Sequence, residues 1–361
     1  MSDEFNPDLT GYLFDRAGAQ GIPLGGTFEL TPVCNMNCRM CYIRMSEEQM
    51  KSKGRLRTVD EWLNLAQQAK DAGMLFLLIT GGEPLLYPDF RELFAALKKM
   101  GLFVSINTNG TLINEEMVEF FKKYPPYRIN ITLYGGSDET YKRLCRYENG
   151  YDKVIKAVKL LKEAKLSVKI NCSITSENVS DAEAILGMAK DFSTACSLGC
   201  YMFPPTRRDD KSTCRFTLEE AGKCQAMVDK MRYEPKDFEN NVKKIIAVES
   251  GELKMEIPSR FRCRAGRSSF WVTWNGRMNA CGMIEGFDLE PFETGFDKCW
   301  KTINDSISNA VALKGCEGCK DRAICKVCPA IAAAETGDYN KKPEYLCRMV
   351  EVWKEEMLKL S

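Results

Sequence analysis

Cys34, Cys38 and Cys41 stand within eight residues, spaced C-x3-C-x2-C, with Tyr42 directly after the third. Thiolates are the ligands that iron–sulfur clusters take. Three of them around a four-iron cluster leave one iron without a protein ligand, and an open metal position is where a substrate or cofactor binds. Zinc is the other metal to weigh, but it usually takes four ligands in pairs, and the chain has no histidine to complete a set. The run follows Thr27-Phe-Glu-Leu-Thr31, an apolar, β-branched stretch that reads as a strand. The cysteines therefore lie on a loop just past a strand's C-terminal end.

This spacing, with an aromatic residue after the last cysteine, resembles the signature of the radical SAM superfamily. The resemblance implies that the open iron takes the amino and carboxylate groups of S-adenosylmethionine (SAM). One electron from the cluster then cleaves the sulfonium and yields a 5'-deoxyadenosyl radical. Gly81-Gly82-Glu83-Pro84 is similar to the family's GGEP motif, whose role is to contact the methionyl amino group. Read from the residues alone, the glycines let backbone approach a ligand closely and Glu83 offers a carboxylate, or the stretch is a tight turn. Asn107, Thr108 and Asn109 end the next strand and are expected to hold the ribose, or to form an Asn-Gly turn with Gly110. Thr132 is placed as a hydroxyl facing SAM, and either Arg143 or Arg146 as the arginine near its carboxylate.

A second field of cysteines occupies the end of the chain: Cys263, Gly276-x4-Cys281, Cys316-x2-Cys319-x5-Cys325-x2-Cys328 and Cys347. Asn275-Gly276, flanked by Phe270–Trp274 and Arg277–Asn279, reads as a β-hairpin able to bring Cys263 and Cys281 together. The order resembles the SPASM extension of radical SAM enzymes, which carries two auxiliary 4Fe–4S clusters. By that resemblance Cys263, Cys281 and Cys328 hold the first, one thiolate short, and Cys316, Cys319, Cys325 and Cys347 hold the second. With the N-terminal loop this makes three 4Fe–4S clusters. Two residues separate Cys325 from Cys328 where the family more often has three. Zinc is the alternative, with Cys316, Cys319, Cys325 and Cys328 in one site. Of the other cysteines, Cys145 and Cys200 lie near strand ends and are candidate hydrogen-atom donors; the rest read as core residues.

These residues need a scaffold. Met74–Thr80 is a continuous apolar run suited to a strand buried on both faces. Helical and strand patterns then alternate through Phe103–Ile106, Arg128–Tyr134, Ser167–Thr175 and Cys200–Phe203, which makes six strands in all. Thr58 and Glu61 form a capping box ahead of the first intervening helix. Alternating elements of this kind give parallel βαβ units, with sites at the C-terminal strand ends. The expected fold is α/β, a partial (β/α)6 radical SAM barrel followed by a small α+β SPASM domain. Residues 1–24 read as a lead-in, 25–216 as the barrel, 217–250 as a helical bridge and 251–361 as the cluster-binding domain.

Composition narrows the partners. Fifty-one Lys and Arg balance fifty Asp and Glu, which gives no general electrostatic case for nucleic acid. No apolar run is long enough to span a membrane, and the N-terminus is polar and acidic, without a secretory pattern. The expected compartment is the cytoplasm, where seventeen cysteines are better used on metal clusters than on disulfides. Acid–base work must fall to Asp, Glu, Lys, Tyr or Cys. The resemblance implies an enzyme that modifies a peptide or protein, forming a thioether or carbon–carbon crosslink or an oxidised residue. It implies an electron donor such as flavodoxin or ferredoxin. A separate leader-binding protein is a further expected partner, because the lead-in is too short for a leader-binding domain. Arg260, Arg262, Arg264 and Arg267 are candidates for lining a peptide groove. A radical SAM dehydrogenase or decarboxylase of a sugar or amino acid is the alternative function. Sulfatase-maturating relatives commonly carry Asp after the Gly-x4-Cys cysteine; here Gly282 follows Cys281.

Overall fold

Six apolar stretches form consecutive parallel strands: β1 (Gly25–Glu29), β2 (Phe76–Thr80), β3 (Phe103–Thr108), β4 (Arg128–Thr132), β5 (Val168–Ser173) and β6 (Ala195–Gly199). The computed structural model describes residues 7–205, 207, 214–255, 263–284, 286–310 and 313–361. Each strand is short and alternates between a helix-covered face and an inner face. Phe28 of β1 and Leu30 just past its end are fully buried, and Phe28 stacks 4.7 Å from Trp62 of helix Val59–Asp71. That helix starts at Thr58 with the capping box expected, closed reciprocally by Glu61.

The sheet does not close into a barrel, and it does not stop at residue 216. Its order is β6-β5-β4-β3-β2-β1-β7-β8, where β7 (Ser269–Val272) and β8 (Met278–Asn279) come from the C-terminal part of the chain. β7 pairs parallel to β1, and β8 returns antiparallel to β7 through the hairpin expected at Asn275-Gly276. Gly276 has φ +89, and a Cβ there would lie 2.5 Å from the guanidinium of Arg57, which donates to the Asn275 carbonyl at 3.0 Å. Only glycine suits both the turn and that approach.

One sequence expectation needs correction. The last strand of the alternation is Ala195–Gly199, and Cys200–Phe203 follows it as irregular chain. The lead-in contains a helix, Pro7–Gln20, whose Phe14 packs 5.5 Å from Phe76 at the N-terminal ends of the strands. After the cysteine loop comes helix Glu47–Lys53, started by a Ser46–Gln49 capping box. Two helices, Leu218–Arg232 and Pro235–Glu249, occupy residues 217–250. Helix Glu344–Lys359 packs on the first of these, with Trp353 Nε1 donating to Asp229 at 2.9 Å.

Candidate active site

Three turns at the C-terminal strand ends meet. The cysteine loop follows β1, the Gly81-Gly82-Glu83-Pro84 turn follows β2, and Asn109-Gly110 follows β3. The amide of Gly82 donates to the Thr31 carbonyl at 2.6 Å and that of Glu83 to Val33 at 2.9 Å. A Cβ on Gly82 would stand 2.4 Å from the Val33 oxygen, and one on Gly81 2.5 Å from the Thr31 oxygen. The close approach expected of these glycines is made to the backbone that leads into the cysteine loop.

Glu83 has no exposed surface. Its carboxylate accepts from the Leu85 amide at 3.1 Å, the Thr108 hydroxyl at 2.8 Å and the Asn109 amide at 2.8 Å. Burial pushes its carboxyl up to about 7, against the pull of those three donors. The sequence reading gave this carboxylate to the SAM amino group; here it clamps the β2 turn to the β3 turn, with Oε1 accepting two bonds and Oε2 one. Asn107 likewise accepts from Asn130 on β4 at 2.8 Å. Asn109 donates to Asn35 at 2.8 Å and lies 3.6 Å from the Cys34 sulfur, so it serves the cysteine loop rather than an open ribose site.

The loop is also held from the other side. The Asn37 and Arg39 amides donate to the carbonyls of Cys145 and Leu144, in the π-helical turn Tyr141–Cys145. Amides of Met36 and Arg44 point at the sulfurs of Cys34 and Cys41, at 3.4 and 3.3 Å. Cys34 lies in the electrostatic field of Cys38 and Cys41, and burial pushes its thiol up to about 12. Contact with Cys145, then burial, raises Cys38 further. Such thiols release their protons only when a cation replaces it, and amides aimed at sulfur suit a ligated thiolate.

The remaining predicted residues are more scattered. Thr132 ends β4 opposite Asn171, half-buried. Arg143 is exposed and pairs with Glu177, the carboxylate that also holds Arg39 of the loop at 2.5 Å. Arg146 is exposed in a left-handed backbone, φ 51. Cys145 lies completely buried behind Cys38, and Cys200 is buried 3.3 Å from the Cys224 sulfur. Neither thiol has a surface from which to reach a substrate, which counts against the hydrogen-donor expectation. Arg264 stacks 3.8 Å over Phe14, and Arg267 flanks Gly18 of the first helix. Both therefore sit at the N-terminal strand ends, away from the cysteine loop; Arg260 and Arg262 lie outside the described residues. A cavity of about 590 Å³, lined in part by Arg264, Thr27 and Lys169, opens at that same far end.

Sequence reasoning missed Glu29. It is a fully buried carboxylate at the end of β1, gripped by Arg207 at 3.1 Å and by Trp271 Nε1 of β7 at 3.1 Å. Arg207 also covers the Tyr42 ring at 5.5 Å. Burial raises the Tyr42 phenol to about 12, and its field includes both Cys41 and Cys281. The group thus bridges the two cysteine fields. Its signal was a carboxylate inside an otherwise apolar strand, which only pairing makes tolerable.

In the C-terminal field the thiols fall into two neighbourhoods. Cys281, raised to about 11 by burial, feels Cys263 and Cys328. Cys347, raised to about 12 by burial, feels Cys325, Cys316 and Cys319. The Met283 amide points at the Cys281 sulfur at 3.4 Å. Burial raises the Cys328 thiol, and the thiol in its field is Cys263. Among the described residues no three Cys, Asp or Glu side chains close tightly enough for a lone metal ion; a four-iron cluster is larger and spreads its thiolates apart. Cys299, the one cysteine lying among these in sequence, is buried 3.1 Å from Thr294 in helix Phe296–Asn309 and its packing.

The profile of the radical SAM superfamily matches residues 28–189, which hold the cysteine loop, the Gly81–Pro84 turn and strands β2 to β5. The chain carries a radical SAM domain. It is 25% identical over 341 residues to the AdoMet-dependent heme synthase of Methanosarcina barkeri, covering 88% of this chain and 94% of that one. It is 26% identical over 264 residues to the antilisterial bacteriocin subtilosin biosynthesis protein AlbA of Bacillus subtilis, covering 73% of this chain and 56% of AlbA. The fold is shared with Streptococcus suis SuiB bound to its precursor peptide SuiA, at a TM-score of 0.68 and 18% identity over 96% of this chain and 82% of SuiB. This radical SAM chain is accordingly an enzyme. No helix among its described residues is long and apolar enough to cross a membrane.

Proposed function

We propose that this radical SAM enzyme is of the SPASM type and modifies a side chain of a peptide or protein, forming a crosslink or an oxidised residue. Cys34, Cys38 and Cys41 would hold the cluster that binds SAM. The C-terminal thiols would hold two auxiliary 4Fe–4S clusters, Cys263/Cys281/Cys328 and Cys316/Cys319/Cys325/Cys347. Bound there, clusters supply and accept single electrons. The observation that carries the reading is the division of the C-terminal thiols into a set of three and a set of four. The set of three is one protein thiolate short, and Cys299 is packed elsewhere. A substrate thiolate can complete it, which favours crosslinking through sulfur. Similarity to AlbA and the peptide-bound fold of SuiB support a peptide substrate. A flavodoxin or ferredoxin and a separate leader-binding protein are the partners this reading calls for.

A small-molecule reaction, dehydrogenation or decarboxylation, is the second reading. It is favoured by the match along almost the full length of the haem synthase, against just over half of AlbA. The test is anaerobic reconstitution, iron analysis, and reaction with SAM, dithionite and cysteine-containing peptides encoded beside the gene. About twelve irons per chain are expected, with a peptide product lighter by two hydrogens. Fewer than two C-terminal clusters would remove the SPASM assignment. Turnover of a carboxylated small molecule, with every peptide untouched, would establish the second reading.

A further inference from the structure

Arg322 is the most deeply placed cation of the C-terminal field. It lies in the five-residue segment between Cys319 and Cys325 and is only 4% exposed. Its backbone amide donates to the Cys319 carbonyl at 3.3 Å, and its Nη1 donates to the carbonyl of Val327, the residue before Cys328, at 3.3 Å. The side chain therefore reaches from the four-cysteine set to the three-cysteine set. Its Nε is buried without a hydrogen-bond acceptor. The neighbouring carboxylate, Asp321, is engaged by Lys354, which also pairs with Glu249. Among the described residues no carboxylate pairs with Arg322.

A buried guanidinium without an anion is costly, so the folded chain must supply negative charge near it. The groups that face it are thiols: its positive field reaches Cys316, Cys325 and Cys328, drawn from both sets. Ligated as thiolates around iron, they would give Arg322 the anions that no carboxylate provides.

We infer that Arg322 is a positioning residue, the shared counter-ion of the two auxiliary clusters, and that it makes both easier to reduce. Each cluster, with three or four thiolates around it, is anionic and gains a further negative charge on accepting an electron. A fixed cation between the two stabilises the reduced forms, and net charge and nearby donors are what set such potentials. This rests on the two-cluster reading above and assigns a residue to tuning electron acceptance. An oxidative modification leaves an electron behind and needs an acceptor of this kind.

The experiment uses the full-length chain with Cys34, Cys38 and Cys41 all replaced by Ala, so that only the C-terminal clusters give signals. Iron content and an EPR-monitored redox titration are compared for Arg322, Arg322→Lys and Arg322→Gln. Arg322→Gln should keep its iron and lower both midpoints by at least a tenfold change in the reduction equilibrium, 59 mV for a one-electron couple. Arg322→Lys should stay near the parent. If Gln loses the clusters while Lys keeps them, the positive charge is required and the inference stands. Unmoved potentials with full iron would overturn it, as would loss of iron in both variants, which would make Arg322 a packing residue. A parent that binds fewer than two C-terminal clusters would refute the SPASM reading itself, a result separable from any effect at Arg322.

Discussion

The three thiols of residues 34–41 are neighbours in sequence, and backbone holds them in place. Amides of the loop bond to the π-helical turn at Tyr141–Cys145, and the β2 turn bonds to the strand exit at Thr31 and Val33. The seven thiols of the C-terminal field come from separate stretches over more than eighty residues, and they are brought together by packing. A hairpin joined to the β1 edge of the sheet has Cys263 before it and Cys281 after it, a loop around buried Arg322 brings four more, and helix Glu344–Lys359 brings Cys347. The difference is one of tolerance. A site made by local backbone depends on a few small residues that let chains approach. A site gathered from afar depends on whole elements docking, and on a charge that makes the gathering electrostatically acceptable.

The largest effect separates the regions outright. Replacing Cys34, Cys38 and Cys41 with Ala should abolish 5'-deoxyadenosine formation from SAM and dithionite, and leave about two thirds of the iron in place, as two of three clusters. Iron analysis with product chromatography checks this. Undiminished SAM cleavage would mean that the N-terminal loop is not the reactive site.

Glu83 sharpens the comparison, because it holds two backbone turns together without touching the thiols' far partners. Its carboxyl is raised from the ordinary 4.5 to about 7 by burial. The protonated form is thus favoured on folding. The stability that this contributes is fully present below pH 4.5 and lost as pH rises through about 7, on the order of 3 kcal/mol at most. Thermal unfolding of the cluster-free chain across pH 5 to 8 should show the decline, and Glu83→Gln should flatten it. Equal slopes in both proteins would show that Glu83 is not the group responsible.

The smallest effect is expected at Cys299. It lies within the C-terminal field in sequence but packs against Thr294. Cys299→Ala should cost about 1 kcal/mol of stability and leave iron content and the EPR signals of the field unchanged. Loss of a cluster signal would instead make Cys299 the fourth ligand of the first set and close the route for a substrate thiolate.

Much of the scaffold was legible in the chain. Apolar runs of strand length, punctuated by glycine and asparagine turns and separated by amphipathic helices, dictate parallel βαβ units, because each run must be buried on both faces. The C-x3-C-x2-C spacing, the glycine pair and the Asn275-Gly276 hairpin are local features, and the backbone they require is set by residues a few positions apart. Glu83 was visible as a residue of the site, but which partners its oxygens take was not: two of its three donors, Thr108 and Asn109, come from the end of β3 and the turn after it.

The tertiary structure alone decided the rest. The extension of the sheet by β7, the grip of Arg207 and Trp271 on Glu29, and the place of Arg322 between two sets of thiols all join residues far apart in the chain. Periodicity reports which face of an element is buried, but not which distant element covers it. A buried charge is marked in sequence only as an anomaly, and its meaning depends on the partner that folding brings to it.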